Sequence, residues 1–188
     1  LKKLIAIIGP PGTGKTTLVR KLMERFEWVY DKPIDLVDSY VCGKIRLIGR
    51  YEEGELFAGT DRLSMAVQPK FLEYIKDNDD EVVIFEGDRL SSVTLFEEVS
   101  KHNYELKIFS LKVSDETLKK RYEQRGSDQS EQFIRGRKTK VSKIEERFGD
   151  NILFGYDGCV DELQNETETE LENNVNLIHK EITLDINH

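Results

Sequence analysis

Residues 4–17 read Leu4-Ile5-Ala6-Ile7-Ile8-Gly9-Pro10-Pro11-Gly12-Thr13-Gly14-Lys15-Thr16-Thr17: an apolar run that stops at a glycine and ends in a lysine and two threonines. The run has the length and β-branched character of a strand buried on both faces. Beyond it, Leu18, Val19, Leu22, Met23 and Phe26 recur at helical spacing. Gly9 to Thr16 fits G-x-x-x-x-G-K-[ST], a phosphate-binding loop set between strand and helix. The residue types follow from that task. Glycines let the backbone curl with its N–H groups around the phosphates, and the helix end adds its positive dipole. Lys15 supplies a mobile charge for the β- and γ-phosphates, and Thr16 a hydroxyl for Mg²⁺. Residues 9–17 are therefore the expected ATP·Mg site.

The chain of 188 residues has the size of one compact domain, with 38% hydrophobic and 34% charged residues. No apolar run approaches the roughly 18 residues of a membrane helix, so no membrane partner is expected. Cys42 and Cys159 form no CxxC pair, which favours a reducing, cytoplasmic setting and two small buried side chains. The net charge of −8 opposes broad nucleic-acid binding, but it is uneven. Lys119 to Arg147 holds ten basic and five acidic residues, and Asp150 to His188 holds ten acids against Lys180 alone.

Apolar stretches at Leu36-Val37, Val82 to Phe85, Leu106 to Val113 and Val160 to Leu163 alternate with helical patterns. That alternation predicts a three-layer α/β fold, a parallel sheet covered on both faces. Tyr40 to Tyr51 reads as an extended excursion or hairpin broken by Gly43 and Gly49. Thr60 or Asp61 is placed to cap a following helix, and Thr167 with Glu170 forms a capping box for the last one. Ligands of such sheets sit at the carboxyl ends of the strands, where Asp38, Glu86 and the glycine loop all fall.

Glu86 directly follows four apolar residues and is positioned to hold Mg²⁺ through water; Asp88 is placed to take a proton and Arg89 to orient an acceptor. A salt-bridged strand cap is the other reading of these charges. Arg121 and Arg125 lie four apart on one helix face, and a loop-flanked basic segment with Arg135, Arg137 and Lys138 follows. A hinged basic lid over about 126–140 would neutralise a phosphoryl group in flight. A solvated face paired with Glu123 or Glu131 is the alternative. No Asn-Lys-x-Asp guanine string occurs.

The order of phosphate loop, strand-end acid, Arg-x-x-x-Arg helix, lid and Leu163-Gln164-Asn165-Glu166-Thr167 junction resembles the nucleoside monophosphate kinases, thymidylate and adenylate kinases included. The resemblance implies a P-loop NTPase fold with a five-stranded parallel core and a closing lid. It also implies nucleotide contacts from Arg121, Arg125 and Asn165. Asp88-Arg89 looks like the Asp-Arg pair of thymidylate kinases.

Between Asp38 and Gln68 the sequence is similar to the 5-hydroxymethyluracil DNA kinases of bacterial viruses, with Ile48-Gly49-Arg50-Tyr51 and Gly59-Thr60-Asp61-Arg62-Leu63-Ser64 in the matching places. This implies phosphorylation of a modified base in DNA, with a free nucleotide as the alternative acceptor and an acceptor-free ATPase as a further one. Tyr40, Arg46, Arg50, Tyr51, Thr60, Asp61, Arg62, Gln68 and Arg89 are the candidate acceptor contacts. Aromatics with arginines stack a base and hold its phosphates. Core packing for the tyrosines and a solvated strand face for Arg46 and Arg50 stay open. Asp38 or Asp88 is the candidate base.

Overall fold

The computed structural model describes residues 1–55, 57–126, 129–151, 156–157, 159–184 and 186. Residues 127 and 128 of the expected lid lie outside them. In chain order the elements are β1 (Lys2–Ile8), α1 (Lys15–Met23), β2 (Val29–Ile34), β3 (Val37–Cys42), β4 (Ile45–Ile48), a 3₁₀ turn (Thr60–Arg62), α2 (Val67–Lys76) and β5 (Val82–Glu86). There follow α3 (Val93–Ser100), β6 (Tyr104–Lys112), α4 (Asp115–Gln124), α5 (Glu131–Phe148), β7 (Asp150–Asn151), β8 (Tyr156–Asp157), β9 (Val160–Gln164) and α6 (Glu168–Thr183).

One sheet runs β2-β3-β4-β5-β1-β6-β9, and β7 with β8 makes a separate antiparallel ribbon. From β4 to β9 every pairing is parallel, so the expected five-stranded parallel core is present. Leu4, Ala6 and Ile8 face one core with residues of α2, α3 and α5, while Ile5 and Ile7 face another with α1 and α6. The uninterrupted apolar run of β1 is what two covered faces demand.

The sheet has seven strands rather than five, because β3 pairs antiparallel with β4 and β2 pairs antiparallel with β3. Leu36-Val37, expected to close a parallel strand, instead turns the chain into β3: Leu36 has φ 66 and Val37 opens the strand. Cys42 pairs with Ile45 across a two-residue turn, so β3 runs against β4. Asp38 still reaches the carboxyl end of the parallel strands, because an antiparallel strand begins where its neighbour ends. Its carbonyl accepts the Gly49 N–H at 2.8 Å.

The helix expected after Asp61 starts later, at Val67, and neither Thr60 nor Asp61 caps it. The capping box at Thr167 and Glu170 forms, with both reciprocal hydrogen bonds. None of the described helices is long and apolar enough to cross a membrane.

Candidate active site

The loop from Gly9 to Gly14 leaves β1 and enters α1. Lys15 folds back so that Nζ donates to the carbonyls of Gly9 (2.9 Å) and Pro10 (3.0 Å). Burial lowers its pKa, while the charges of Glu86 and Asp61 act in the opposite sense. Thr17 is exposed in the first turn.

Behind the loop, three side chains hold successive carbonyls. Tyr122 donates to Pro11 at 2.5 Å, Arg121 to Gly12 at 2.7 Å and Asn165 to Thr13 at 2.7 Å. The C=O and N–H of one trans peptide point opposite ways. Fixing the carbonyls against α4 and the β9–α6 junction therefore leaves the N–H edge for an anion. Helices α3, α4, α5 and α6 carry side-chain caps from Ser92, Ser114, Ser130 and Thr167. Helices α1 and α2 have no such cap and no acid in the first turn; at α1, which the glycine loop enters, the open end suits a phosphate. Its N-cap, Gly14, has φ 91, and a Cβ there would stand 2.6 Å from Asn165 Nδ2. Glycine is needed on both counts.

Because β5 lies next to β1, Glu86 ends its strand beside the loop, in register with Ile7. Only 1% of Glu86 is exposed, and its Oε1 accepts from Thr16 Oγ1 (3.0 Å) and Tyr51 OH (3.2 Å). Burial pushes its pKa from 4.5 up to about 7; Asp61 adds to the rise, while Lys15, Thr16 and Tyr51 favour the charged form. Burial and the neighbouring Glu86 hold the Tyr51 phenol well above its ordinary pKa, so it stays a donor. With its proton given to Glu86, the Thr16 hydroxyl keeps its lone pairs for a cation. No group of three or more His, Cys, Asp or Glu side chains that could hold a metal ion occurs among the described residues. One hydroxyl and one carboxylate fit Mg²⁺, which takes few protein ligands and completes its shell with phosphate oxygens and water.

The Gly59-Thr60-Asp61 string is fitted onto this strand end. Thr60 Oγ1 donates to the Glu86 carbonyl at 2.9 Å, and Asp61 Oδ1 accepts the N–H groups of Asp88 (3.0 Å) and Arg89 (3.3 Å). Gln68 donates to the Arg89 carbonyl at 3.1 Å, and the Arg89 guanidinium to the Asp61 carbonyl at 3.3 Å. Asp88 in turn meets α5: its carboxylate pairs with Arg137 and, at 3.1 Å, with Lys140, which also donates to the Asp88 carbonyl at 2.9 Å. The Arg137 guanidinium lies 4.6 Å from the centre of the Phe133 ring.

Not every residue singled out in the sequence lies in this group. Arg46 sits near the amino end of β4, 8% exposed, in a cluster with Asp80 (2.6 Å), Asp31 (2.6 Å) and Ser39 (2.9 Å). It is neither on a solvated face nor near the strand ends where the loop lies. Tyr51 is 8% exposed, too buried for a base to stack on; Tyr40 is half-buried, with its hydroxyl on the Tyr51 N–H at 3.0 Å. Arg50 pairs with Glu52, and Arg62 with Glu55 and, at 3.7 Å, Glu52. Asp38 accepts from Tyr30 OH. Arg125 and Arg135 are exposed. Tyr122, Lys140 and Tyr30 were not singled out, although Tyr122 adjoins Arg121 and Lys140 lies in the basic stretch.

A parallel α/β sheet, an anion-ready loop, a lysine within it and a hydroxyl–carboxylate pair beside it define a P-loop nucleotide-binding protein. More narrowly, the family model described as P-loop Nucleotide Kinase3 matches residues 1–172, and the chain belongs to that family of kinases. No curated protein matches the sequence. Similar solved structures include a deoxyadenosine kinase from M. mycoides with bound dATP, at 15% identity and TM-score 0.49 over 96% of this chain and 99% of that one. Chaetomium thermophilum Kti12 in complex with ADP-AlF3 shares 16% identity at TM-score 0.47, over 93% and 96%. A fungal RNA kinase shares 15% at TM-score 0.45, over 98% and 86%.

Proposed function

We propose that this chain is a single kinase domain that passes the γ-phosphate of ATP to a hydroxyl of a pyrimidine-type acceptor, with 5-hydroxymethyluracil in DNA as the acceptor. The observation that carries the transfer reading is the meeting of Lys15, Thr16 and Glu86 at the adjoining ends of β1 and β5, with Asp88 two residues beyond Glu86. The N–H edge of residues 9–14 and Lys15 hold the β- and γ-phosphates. Thr16 and Glu86 hold Mg²⁺, which when bound neutralises charge on those phosphates. The acceptor oxygen attacks the γ-phosphorus, the bond to the β-phosphate oxygen breaks, and ADP leaves. The hydroxyl proton goes to Asp88, or to Asp38. Arg137 and Arg135, on a lid over 126–140, neutralise the group in transit, with Arg121 and Arg125 on the donor side.

Support for the acceptor comes from residues 38–68. Their Gly-Thr-Asp string grips the backbone of Asp88 and Arg89. Beside Asp38, the 54% exposed Tyr30 meets Tyr40 edge-on at 5.9 Å, an aromatic surface suited to a base. The basic residues of α5 offer contacts for a phosphate backbone.

The test is radiolabelled ATP offered with nucleoside monophosphates, plain DNA and 5-hydroxymethyluracil DNA. Label is expected in the modified DNA alone and is expected to vanish with Lys15→Ala while circular dichroism is unchanged. Label only in free nucleoside diphosphate would overturn the DNA acceptor, and label only in inorganic phosphate would overturn transfer.

A further inference from the structure

Tyr51 lies in the segment where an acceptor contact was expected, yet its side chain turns away from solvent and into the sheet end. Its hydroxyl donates to Glu86 Oε1 at 3.2 Å, the same oxygen that takes the Thr16 proton at 3.0 Å. The ring is fixed on two sides: Tyr40 lies 6.2 Å away between ring centres, and the Arg20 guanidinium of α1 lies 5.9 Å over it. The Tyr51 backbone N–H is anchored on the Tyr40 hydroxyl at 3.0 Å. From the other side Gly59 closes on the same carboxylate, so near that a Cβ would meet Oε1 at 2.5 Å. Arg50 and Gly59, the two ends of this loop, are joined by paired backbone hydrogen bonds of 3.1 and 2.7 Å. A carboxylate on a strand end has two free torsions beyond its stem, and each orientation that does not face the cation weakens the site. Two hydroxyl donors on one oxygen remove that freedom. The Tyr51 phenol thus joins this segment to the donor site by a hydrogen bond, and Gly59 does so by close packing.

We infer that Tyr51 is a positioning residue for the magnesium site, a donor that fixes the Glu86 carboxylate in the orientation from which it holds the cation. This rests on the reading of Thr16 and Glu86 as the Mg²⁺ pair. Tyr51 touches neither nucleotide nor acceptor in this role. Its loss therefore shows in the cation dependence of nucleotide binding and not in the nucleotide's own affinity.

The experiment titrates Mg²⁺ into the full chain holding ADP with a fluorescent N-methylanthraniloyl group, and separately measures that ADP's affinity in EDTA. Tyr51→Phe keeps the ring and removes one oxygen. It is expected to bind the labelled ADP in EDTA within about twofold of wild type and to need about tenfold more Mg²⁺ for half effect, the scale of losing a supporting hydrogen bond around a metal. Tyr40→Phe, which frees the Tyr51 N–H, is expected to shift the Mg²⁺ midpoint the same way by less, and it serves if Tyr51→Phe does not fold. A Mg²⁺ midpoint within twofold of wild type in both variants would overturn the inference, as would equal weakening with and without Mg²⁺. If wild type itself shows no Mg²⁺ response, the Thr16–Glu86 assignment falls and takes the inference with it. That failure is distinguishable because it appears before any variant is made.

Discussion

The carboxylate of Asp61 holds the backbone N–H of Asp88 at 3.0 Å, and that of Arg89 at 3.3 Å, across 27 and 28 residues of chain. A residue that reads from sequence as a helix cap or an acceptor contact is thereby a clamp on the strand end that presents Asp88. Replacing it with alanine is expected to cut phosphoryl transfer about tenfold, since a hydrogen bond to a charged group is worth about 1.5–3 kcal/mol. Asp61→Asn, which keeps Oδ1 as an acceptor, is expected to recover most of that rate. Steady-state transfer by the two variants checks it, and equal loss in both would show that charge rather than the clamp matters.

Asn165 is 4% exposed and spans 152 residues of sequence to reach the Thr13 carbonyl, with its own Oδ1 held by Asn174 at 3.1 Å. Asn165→Ala leaves that carbonyl buried without a donor. The expected cost is about 1–3 kcal/mol of stability, together with weaker ADP binding, read by urea denaturation and by fluorescence titration. Asn165→Asp, which turns an acceptor toward an acceptor, is expected to be worse than alanine.

Arg46 is expected to matter for stability and not for transfer. Its partners Asp80 and Asp31 are both 2.6 Å away, and removing one side of a buried ion pair costs about 3 kcal/mol or more. Arg46→Ala is therefore expected to lower the urea midpoint while kcat/KM of the folded fraction stays near wild type. A large fall in kcat/KM with normal stability would return Arg46 to the acceptor site.

Glu86 makes stability fall as pH rises. Its folded pKa is pushed up from 4.5 to about 7, so between these values the folded state binds more protons than the unfolded one. Stability then declines with pH across that window and is flat above it. Glu86→Gln removes a carboxylate that must ionise in a buried place. Nucleotide-free Glu86→Gln is expected to melt higher than wild type at pH 8, by a margin that shrinks towards pH 5. Thermal melts at the two pH values check it, and a margin that grows on acidification would reverse the sign.

The fold was legible wherever one contiguous segment states its own environment. Leu4 to Ile8 must lie between two layers because every residue is apolar, and residues 9–16 must curl because glycines and a lysine sit at fixed spacing. The run Val82 to Phe85 ends on an acid that the same logic places at the ligand end of the sheet, and Thr167 with Glu170 declares a helix start four residues wide. The hairpin β3–β4 was only half legible. Its β-formers and Gly43 were visible, but strand direction depends on which neighbour supplies hydrogen bonds, so Leu36-Val37 passed for a parallel strand.

By itself, then, the sequence determined the layered architecture, the phosphate loop and the strand-end acid, since each follows from chemistry carried within a few consecutive residues. Only the tertiary structure decided that Asn165, Arg121 and Tyr122 brace the loop from behind, that Tyr51 serves Glu86, that Asp61 clamps Asp88 and that Arg46 is buried far from all of them. Periodicity fixes which face of an element is covered but is silent on what covers it. For side chains that reach across tens of residues to one partner, that identity is the whole of the role.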